Sequence, residues 1–486
     1  MKKAIAFVTS LMIIMALSAC GSTTSETENN DSDKTSDESM VANSSDEEEE
    51  AEDETADEED DDEEMSSDLK NKDSKNNQIN TGLKENTIEE TVLVDQDGIK
   101  ITATDLSYSS YGATLSLDLE NNSDKDLDII CGSLGHSSNS VNGVMIEDGY
   151  FNCTLNANKK AKEEVVFDYD VLNVLGIDEI ADIELGIYSS DDDYNDVYYP
   201  ISKIKTTVAD KYDYGKVNPV EGIKNSGVMD VLYSSDSELY NEKDLKIVSE
   251  LLVKRDDDLP YLLIEVKNDS DKQAIAYIRD IYINGLQVSD STWSSTSINP
   301  HKTALLDIKL DSVFDEVYWS YYGINEVNSV GFSFSQDDME GDNETEPVEI
   351  TVPVKSESSS PDTSGDVVYD EGGIRIIYKG FGDGEYSMYK YLMLLVENKS
   401  GKSIRVDEEN SSLSVNGYMI GSSSMYEYID DGKYYAWLIE ISNNDLEKND
   451  VKSLSDINEI EFDIELQDKD NWRDKTNATV TIKPSH

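Results

Sequence analysis

The feature that most constrains this chain is an internal repeat, because four short landmarks occur three times in the same order after residue 90. Each set opens on an apolar strand behind an acidic or glycine turn: Asp97-Gly98-Ile99-Lys100-Ile101, Asp244-Leu245-Lys246-Ile247 and Gly373-Ile374-Arg375-Ile376. A strand ending in an asparagine turn follows, at Leu119-Glu120-Asn121-Asn122-Ser123, Val266-Lys267-Asn268-Asp269-Ser270 and Val396-Glu397-Asn398-Lys399-Ser400. Third come Val141-Asn142-Gly143, Ile283-Asn284-Gly285 and Val415-Asn416-Gly417. Asparagine and glycine both accept positive φ, so each of these marks predicts a type I′ hairpin turn. Each set closes on Gly176-Ile177-Asp178-Glu179-Ile180, Gly323-Ile324-Asn325-Glu326-Val327 or Asp456-Ile457-Asn458-Glu459-Ile460.

The Asn-Gly marks lie 142 and 132 residues apart, so each unit takes about 120 residues, enough for a β-sandwich. Between landmarks the chain runs in short alternating stretches of Val, Ile, Leu and Tyr, broken by Asn, Asp, Gly and Ser. Glu461-Phe462-Asp463-Ile464-Glu465-Leu466 alternates strictly, as a strand with one wet face does. A short helix is expected over 443–454, with Asn443 or Asn444 as its cap. The expected domains are 91–210, 226–354 and 366–484, with linkers near 213–226 and 355–365 where strand patterning lapses.

This order of landmarks resembles the immunoglobulin-like modules of uncharacterised lipoproteins from Gram-positive, Clostridia-like bacteria. The resemblance covers about residues 91 to 484 and implies an all-β chain of three tandem immunoglobulin-like β-sandwich domains. Its motifs are structural landmarks, so it implies little about activity. Repeat two departs at Leu245, where the others hold glycine before isoleucine, and the lysine turn is Lys159-Lys160 in repeat one but single lysines, Lys302 and Lys433, in the others.

The N-terminus carries Lys2 and Lys3, a 13-residue apolar run over 4–16, and then Leu17-Ser18-Ala19-Cys20. That run is short for a membrane span, and the small residues before Cys20 suit a signal peptidase, so 1–19 reads as a lipoprotein signal peptide. Cys20 is expected to carry the lipid and to hold the chain on the outer face of the cytoplasmic membrane, at the cell surface. Residues 20–90 read as a disordered acidic spacer: 27 acidic against 5 basic residues lie between 21 and 90, and 57–64 is wholly acidic. As a flexible coil it would span about 45–50 Å. The net charge of −64 leaves no basic stripe for phosphates, which argues against nucleic acid as a partner. Contact with the membrane should run through the Cys20 lipid alone.

No constellation of catalytic, metal-ligating or cofactor-binding residues stands out. The histidines, His136, His301 and His486, have no partner at metal spacing and read as exposed loop residues. Gly380-Phe381-Gly382-Asp383-Gly384 lies between strand patterns and reads as a turn rather than a phosphate loop. The acidic loops 191–196 and 468–474 offer hard oxygen atoms without the calcium-loop pattern. Tyrosines cluster at Tyr318, Tyr321 and Tyr322 around Trp319, and at Tyr434 and Tyr435 near Trp437. They suit either a sugar-stacking or partner-binding surface or half-buried strand positions. Cys131 and Cys153 flank the first Asn-Gly mark symmetrically, which permits a disulfide or two buried free thiols. The expectation is a non-enzymatic surface protein that binds or spaces an unknown extracellular protein or glycan; the alternative is a cell-wall or carbohydrate-active accessory protein or enzyme.

Overall fold

The computed structural model describes residues 82–132, 139–255, 260–288, 294–310, 316–338, 344–356, 360–383, 388–424 and 426–484. The signal peptide, Cys20 and residues 20–81 of the acidic spacer lie outside them. Residues 82–90 are part of the fold, because Leu83 is buried in the first core and the Asn86 amide donates to the Ile180 carbonyl at 2.9 Å.

The chain is all-β, in three tandem immunoglobulin-like sandwiches. In the first, strands Thr91–Gln96, Ile99–Ser109, Gly112–Asn121 and Lys160–Asp168 form an antiparallel sheet. Its apolar face, with Ile101, Leu115 and Val165, packs on Ile129, Phe151, Ile183 and Ile187 from the opposing strands. The second sandwich repeats that sheet with Asp230–Ser235, Leu245–Lys254, Pro260–Asn268 and Thr303–Lys309, and the third with Asp366–Glu371, Ile374–Asp383, Tyr389–Asn398 and Tyr434–Ser442.

The landmarks are side-chain clamps. Asn121, Asn268 and Asn398 are fully buried, and each donates across the sandwich, to the carbonyls of Leu155, Ile298 and Ile429 at 2.8, 2.9 and 2.6 Å. The other amide hydrogen goes to the backbone carbonyl of Lys125, Lys272 or Lys402, four residues on, and each side-chain oxygen accepts from a backbone N–H two residues on. The turn asparagines Asn142, Asn284 and Asn416 adopt φ of 51–54°, as a type I′ turn requires. Their side chains clasp the closing landmark, donating to Glu179, Glu326 and Asp456 carbonyls. Asp456 therefore stands where Glu179 and Glu326 stand. The third closing motif is displaced by three residues from the alignment that its letters suggest, and Ile460 matches Ile183 and Val330 rather than Ile180 and Val327.

Two expected linkers are structured. In the first, Pro219–Ser226 is a helix capped by Asn218, with Val220 and Ile223 buried against Leu251, Val253, Tyr261 and Leu263 of the second sandwich. It crosses the end of helix Tyr169–Val174 closely: a Cβ on Gly222 would lie 2.5 Å from the Gly176 nitrogen. In the second, the Asp362 N–H donates to the Tyr322 carbonyl, and Lys379 reaches the Asp362 carboxylate. The expected late helix forms at Asn443–Lys448, with Ser442 rather than an asparagine as its cap.

Neighbouring sandwiches share a sheet. The hairpin strand Val144–Ile146 pairs in parallel with Thr303–Lys309 of the second sandwich, and Leu286–Gln287 pairs in parallel with Tyr434–Ser442 of the third. The register is the same in both joints: Val144 opposes Thr303 as Leu286 opposes Tyr434. Each joint also covers the outer face of the next sandwich's first sheet. Tyr261 and Leu263 lie under the helix at 219–226, while Met393 and Leu395 lie in the cluster that holds Tyr318, Trp319 and Tyr322. Among the described residues no sandwich precedes the first, and its equivalent outward positions are Thr114, Ser116 and Asp118. This outer face is mostly polar, with Val166, across from Thr114, exposed among these positions.

Candidate functional site

The first joint encloses a cleft of about 890 Å³. Its floor comes from the strand Asp182–Glu184, held against the turn at Asn142 by the clamp on the Ala181 and Asp182 N–H groups. Asp182 and Glu184 are two residues apart and so project from one face of the strand. Lys203, directly across from Glu184 on Lys203–Lys205, lies 3.2 Å from both carboxylates. From the second sandwich Lys302, itself buried, reaches Glu184 at 2.8 Å, so the ion pair spans the joint. The row Asp182, Lys203, Glu184, Lys302 thus alternates in sign.

Burial alone would depress the Lys203 ammonium, but the two carboxylates overcome it and hold the lysine above its ordinary value. The Tyr214 hydroxyl donates to Asp182 Oδ2, and burial together with that carboxylate pushes the phenol well up. Asp182 Oδ1 is buried without a hydrogen-bond partner. Pro200, Ile201, Val217 and Pro300 supply apolar wall. His301 stands on the rim, exposed, its Nε2 2.9 Å from Asp271. Each charge on the floor thus has an oppositely charged neighbour, an arrangement that holds these polar groups in place.

The other candidates are accounted for by packing. Among the described residues no cluster of three or more His, Cys, Asp or Glu is arranged to hold a metal ion. Asp191 is saturated by Lys125 at 2.7 Å and by the N–H groups of Asp193 and Asn195, which together hold its carboxyl far below the usual range. Lys402 bridges Asp468 and Asp474 at 2.7 and 3.2 Å. Residues Gly380 to Asp383, read as a turn, continue the strand Ile374–Asp383 past a bulge, with Phe381 in the core. Tyr318, Trp319 and Tyr322 are buried in the second joint, while Tyr435 and Trp437 are buried in the third sandwich, so neither cluster forms an exposed stacking surface; Tyr321 alone of these is exposed. His136 and His486 lie outside the described residues.

Cys131 and Cys153 do sit on neighbouring strands, Leu127–Cys131 and Phe151–Leu155. Cys131 opposes Phe151 and Cys153 opposes Ile129, a diagonal offset too long for a disulfide, and both thiols are free. Burial pushes the Cys131 thiol up to about 12; burial and Glu163 push Cys153 up to about 11.

The cleft itself was not foreseen from sequence. Its parts come from residues 142, 182–184, 203, 214 and 302, and the lone signal was the recurrent lysine in the turn before the fourth strand of each unit. No family model and no curated protein matches the chain. Among solved structures it is similar to a chain from a structural study of host cell surface retention of a 1.5-MDa bacterial ice-binding adhesin, at 12% identity over 76% of this chain and 90% of that one, with a TM-score of 0.12. It is also similar to the exo-chitosanase CsxA of Amycolatopsis orientalis, at 9% identity over 54% of this chain and 27% of that one, TM-score 0.15. Red sea bream transglutaminase gives 11% identity over 62% and 38%, TM-score 0.13. At these TM-scores the likenesses carry no argument about what this chain does.

Proposed function

We propose that this is a non-enzymatic, lipid-anchored cell-surface protein whose three sandwiches act as a stiff array, spacing and presenting a binding surface to an extracellular partner. The observation that supports this reading is the twice-built joint: in both, the same strand register makes one continuous sheet out of two sandwiches. A shared sheet resists bending far better than a free linker, because bending it breaks ladder hydrogen bonds and opens apolar contacts at once. The anchor rests on Cys20 and the run before it. The test is metabolic labelling with an alkyne fatty acid in cells producing the full chain. Label and cell association should both be lost in Cys20→Ala, and either one surviving the substitution refutes the anchor.

A second reading, an accessory that holds carbohydrate, draws on the joint cleft, where the unpartnered Asp182 oxygen and the ordered lysines suit a hydroxyl-rich ligand. Glycan-array binding that is abolished by Asp182→Asn would favour it.

A further inference from the structure

The two joints are built to one pattern, and each needs a pair of complementary ends. One end is the second strand of an Asn-Gly hairpin; the other is the strand that starts after the lysine turn. Val144 and Met145 are 3% and 8% exposed because the second sandwich covers them, and Leu286 and Gln287 are 0% and 1% exposed under the third. Their equivalents in the last sandwich, Tyr418 and Met419, are 55% and 60% exposed, and the pairing described for strand Tyr418–Met419 is with Ser414–Val415 alone. A large tyrosine and a methionine thus stand at an open sheet edge where the other two repeats bury apolar or amide side chains.

The complementary end is open at the other extremity. Lys302 and Lys433 precede the strands that receive the hairpins, and each reaches a glutamate of the preceding sandwich: Lys302 meets Glu184 at 2.8 Å, and Lys433 pairs with Glu349. Their counterpart in the first sandwich is Lys159, whose carbonyl accepts from Asn121 as those of Lys302 and Lys433 accept from Asn268 and Asn398. Lys159 and Lys160 are exposed, as is Lys162 beyond part-buried Ala161; Lys160 and Lys162 pair with Glu120 and Asp118 of the neighbouring strand, which leaves Lys159 as the charge that the joint pattern assigns to a partner. At the far end, Glu461 opposes Ser414 as Glu184 opposes Ser140, so it holds the position of the glutamate that Lys302 meets, and it too is exposed.

We infer that a second copy of this chain docks head to tail, its strand Lys160–Asp168 lying parallel to Tyr418–Met419 of the first copy, with Lys160 opposite Tyr418 and Lys159 beside Glu461. The register continues both joints already present, the ion pair continues that of the first joint, since the second joint has Gly331 at the position of Glu184 and uses Glu349 instead, and Lys159 and Glu461 are opposite in charge. The outer face of the receiving sheet is mostly polar in the first sandwich, with Thr114, Ser116 and Asp118 beside Val166, so this contact lacks the extended apolar cover of the internal joints. The copies therefore meet along an edge, and association is weak and concentration-dependent. Because the two surfaces are different, it propagates as a chain of copies rather than closing as a two-fold dimer. This inference does not depend on the lipid.

The test is sedimentation velocity on the chain from residue 21 to 486, which keeps the whole compact unit Ile79–His486, from low micromolar to several hundred micromolar. The weight-average sedimentation coefficient should rise with loading. Tyr418 closes the hairpin with Val415, so the outward N–H belongs to Met419, and Met419→Pro should abolish the rise. Lys159→Glu and Glu461→Lys should each weaken association about fivefold, the scale of an exposed ion pair, and the double variant should restore it. Circular dichroism and melting temperature, unchanged in all four variants, show that the fold is intact. A monomer at every loading overturns the inference, and so does association that survives Met419→Pro or is not restored in the charge-swapped double variant.

Discussion

Replacing Asn268 by alanine isolates what holds each sandwich shut. The side chain is 1% exposed and makes hydrogen bonds in three directions. Its Nδ2 donates to Lys272 at 2.8 Å and to Ile298 at 2.9 Å, and its Oδ1 accepts from the Ser270 N–H at 3.0 Å and the Ser270 hydroxyl at 2.7 Å. Alanine leaves the buried Ile298 carbonyl without this donor, which costs about 1–3 kcal/mol. Ser270 and Lys272 lie in an exposed turn where water can replace what is lost, so those bonds add only about 1 kcal/mol together. The expected loss is therefore about 2–4 kcal/mol, read from urea unfolding followed by tryptophan fluorescence as a lower midpoint at unchanged slope. Asn268→Asp separates the donor from the acceptor. It keeps an oxygen toward Ser270 but sets an anion against two carbonyls, so it should destabilise more than alanine at neutral pH and recover on acidification. A loss below about 0.5 kcal/mol for the alanine variant, the level of an ordinary surface change, would refute the clamp.

Two further outcomes follow from buried charge. Lys302→Met leaves Glu184 with Lys203 alone, so a loss of about 2 kcal/mol is expected, smaller than for an uncompensated buried charge, together with faster proteolysis between the first two sandwiches; no change in either would show that the cross-joint pair contributes nothing. Glu250 is 1% exposed, and burial pushes its carboxyl up to about 7, with the Ser235 hydroxyl opposing. The folded chain keeps this proton up to about pH 7 while the unfolded chain releases it near its ordinary value of 4.5, so stability should fall as pH rises through that window. Glu250→Gln should flatten this part of the profile in thermal melts between pH 4 and 8, and an unchanged profile would contradict the burial argument.

Much of this architecture could be read locally. Alternating apolar runs with Asn-Gly between them require hairpins, because the pleat has period two and the turn needs positive φ, and both properties belong to residues adjacent in the chain. The threefold recurrence then carried one sandwich to three. What mattered for the site was not local. The cleft depends on Lys302 meeting Glu184, a pair 118 residues apart, and no residue near either position announces the other. The aromatic cluster at 318–322 has the same letters whether it faces solvent or a neighbour, and the docking of one sandwich on the next is what buried it. The offset at Asp456 shows the same limit from the other side: Ile-Asn-Glu-Ile repeats in letters, but the Asn416 clamp selects backbone groups by distance, and it closes three residues earlier. Composition and periodicity thus determined the hairpin turns, most of the strands and the threefold repeat, though not that Gly380 to Asp383 would continue a strand or that 219–226 would form a helix. Which edges meet, and hence where charge is buried and which edge is left open, was decided only when the sandwiches packed, since contact between distant segments is set by shared sheet register and surface fit rather than by neighbouring residues.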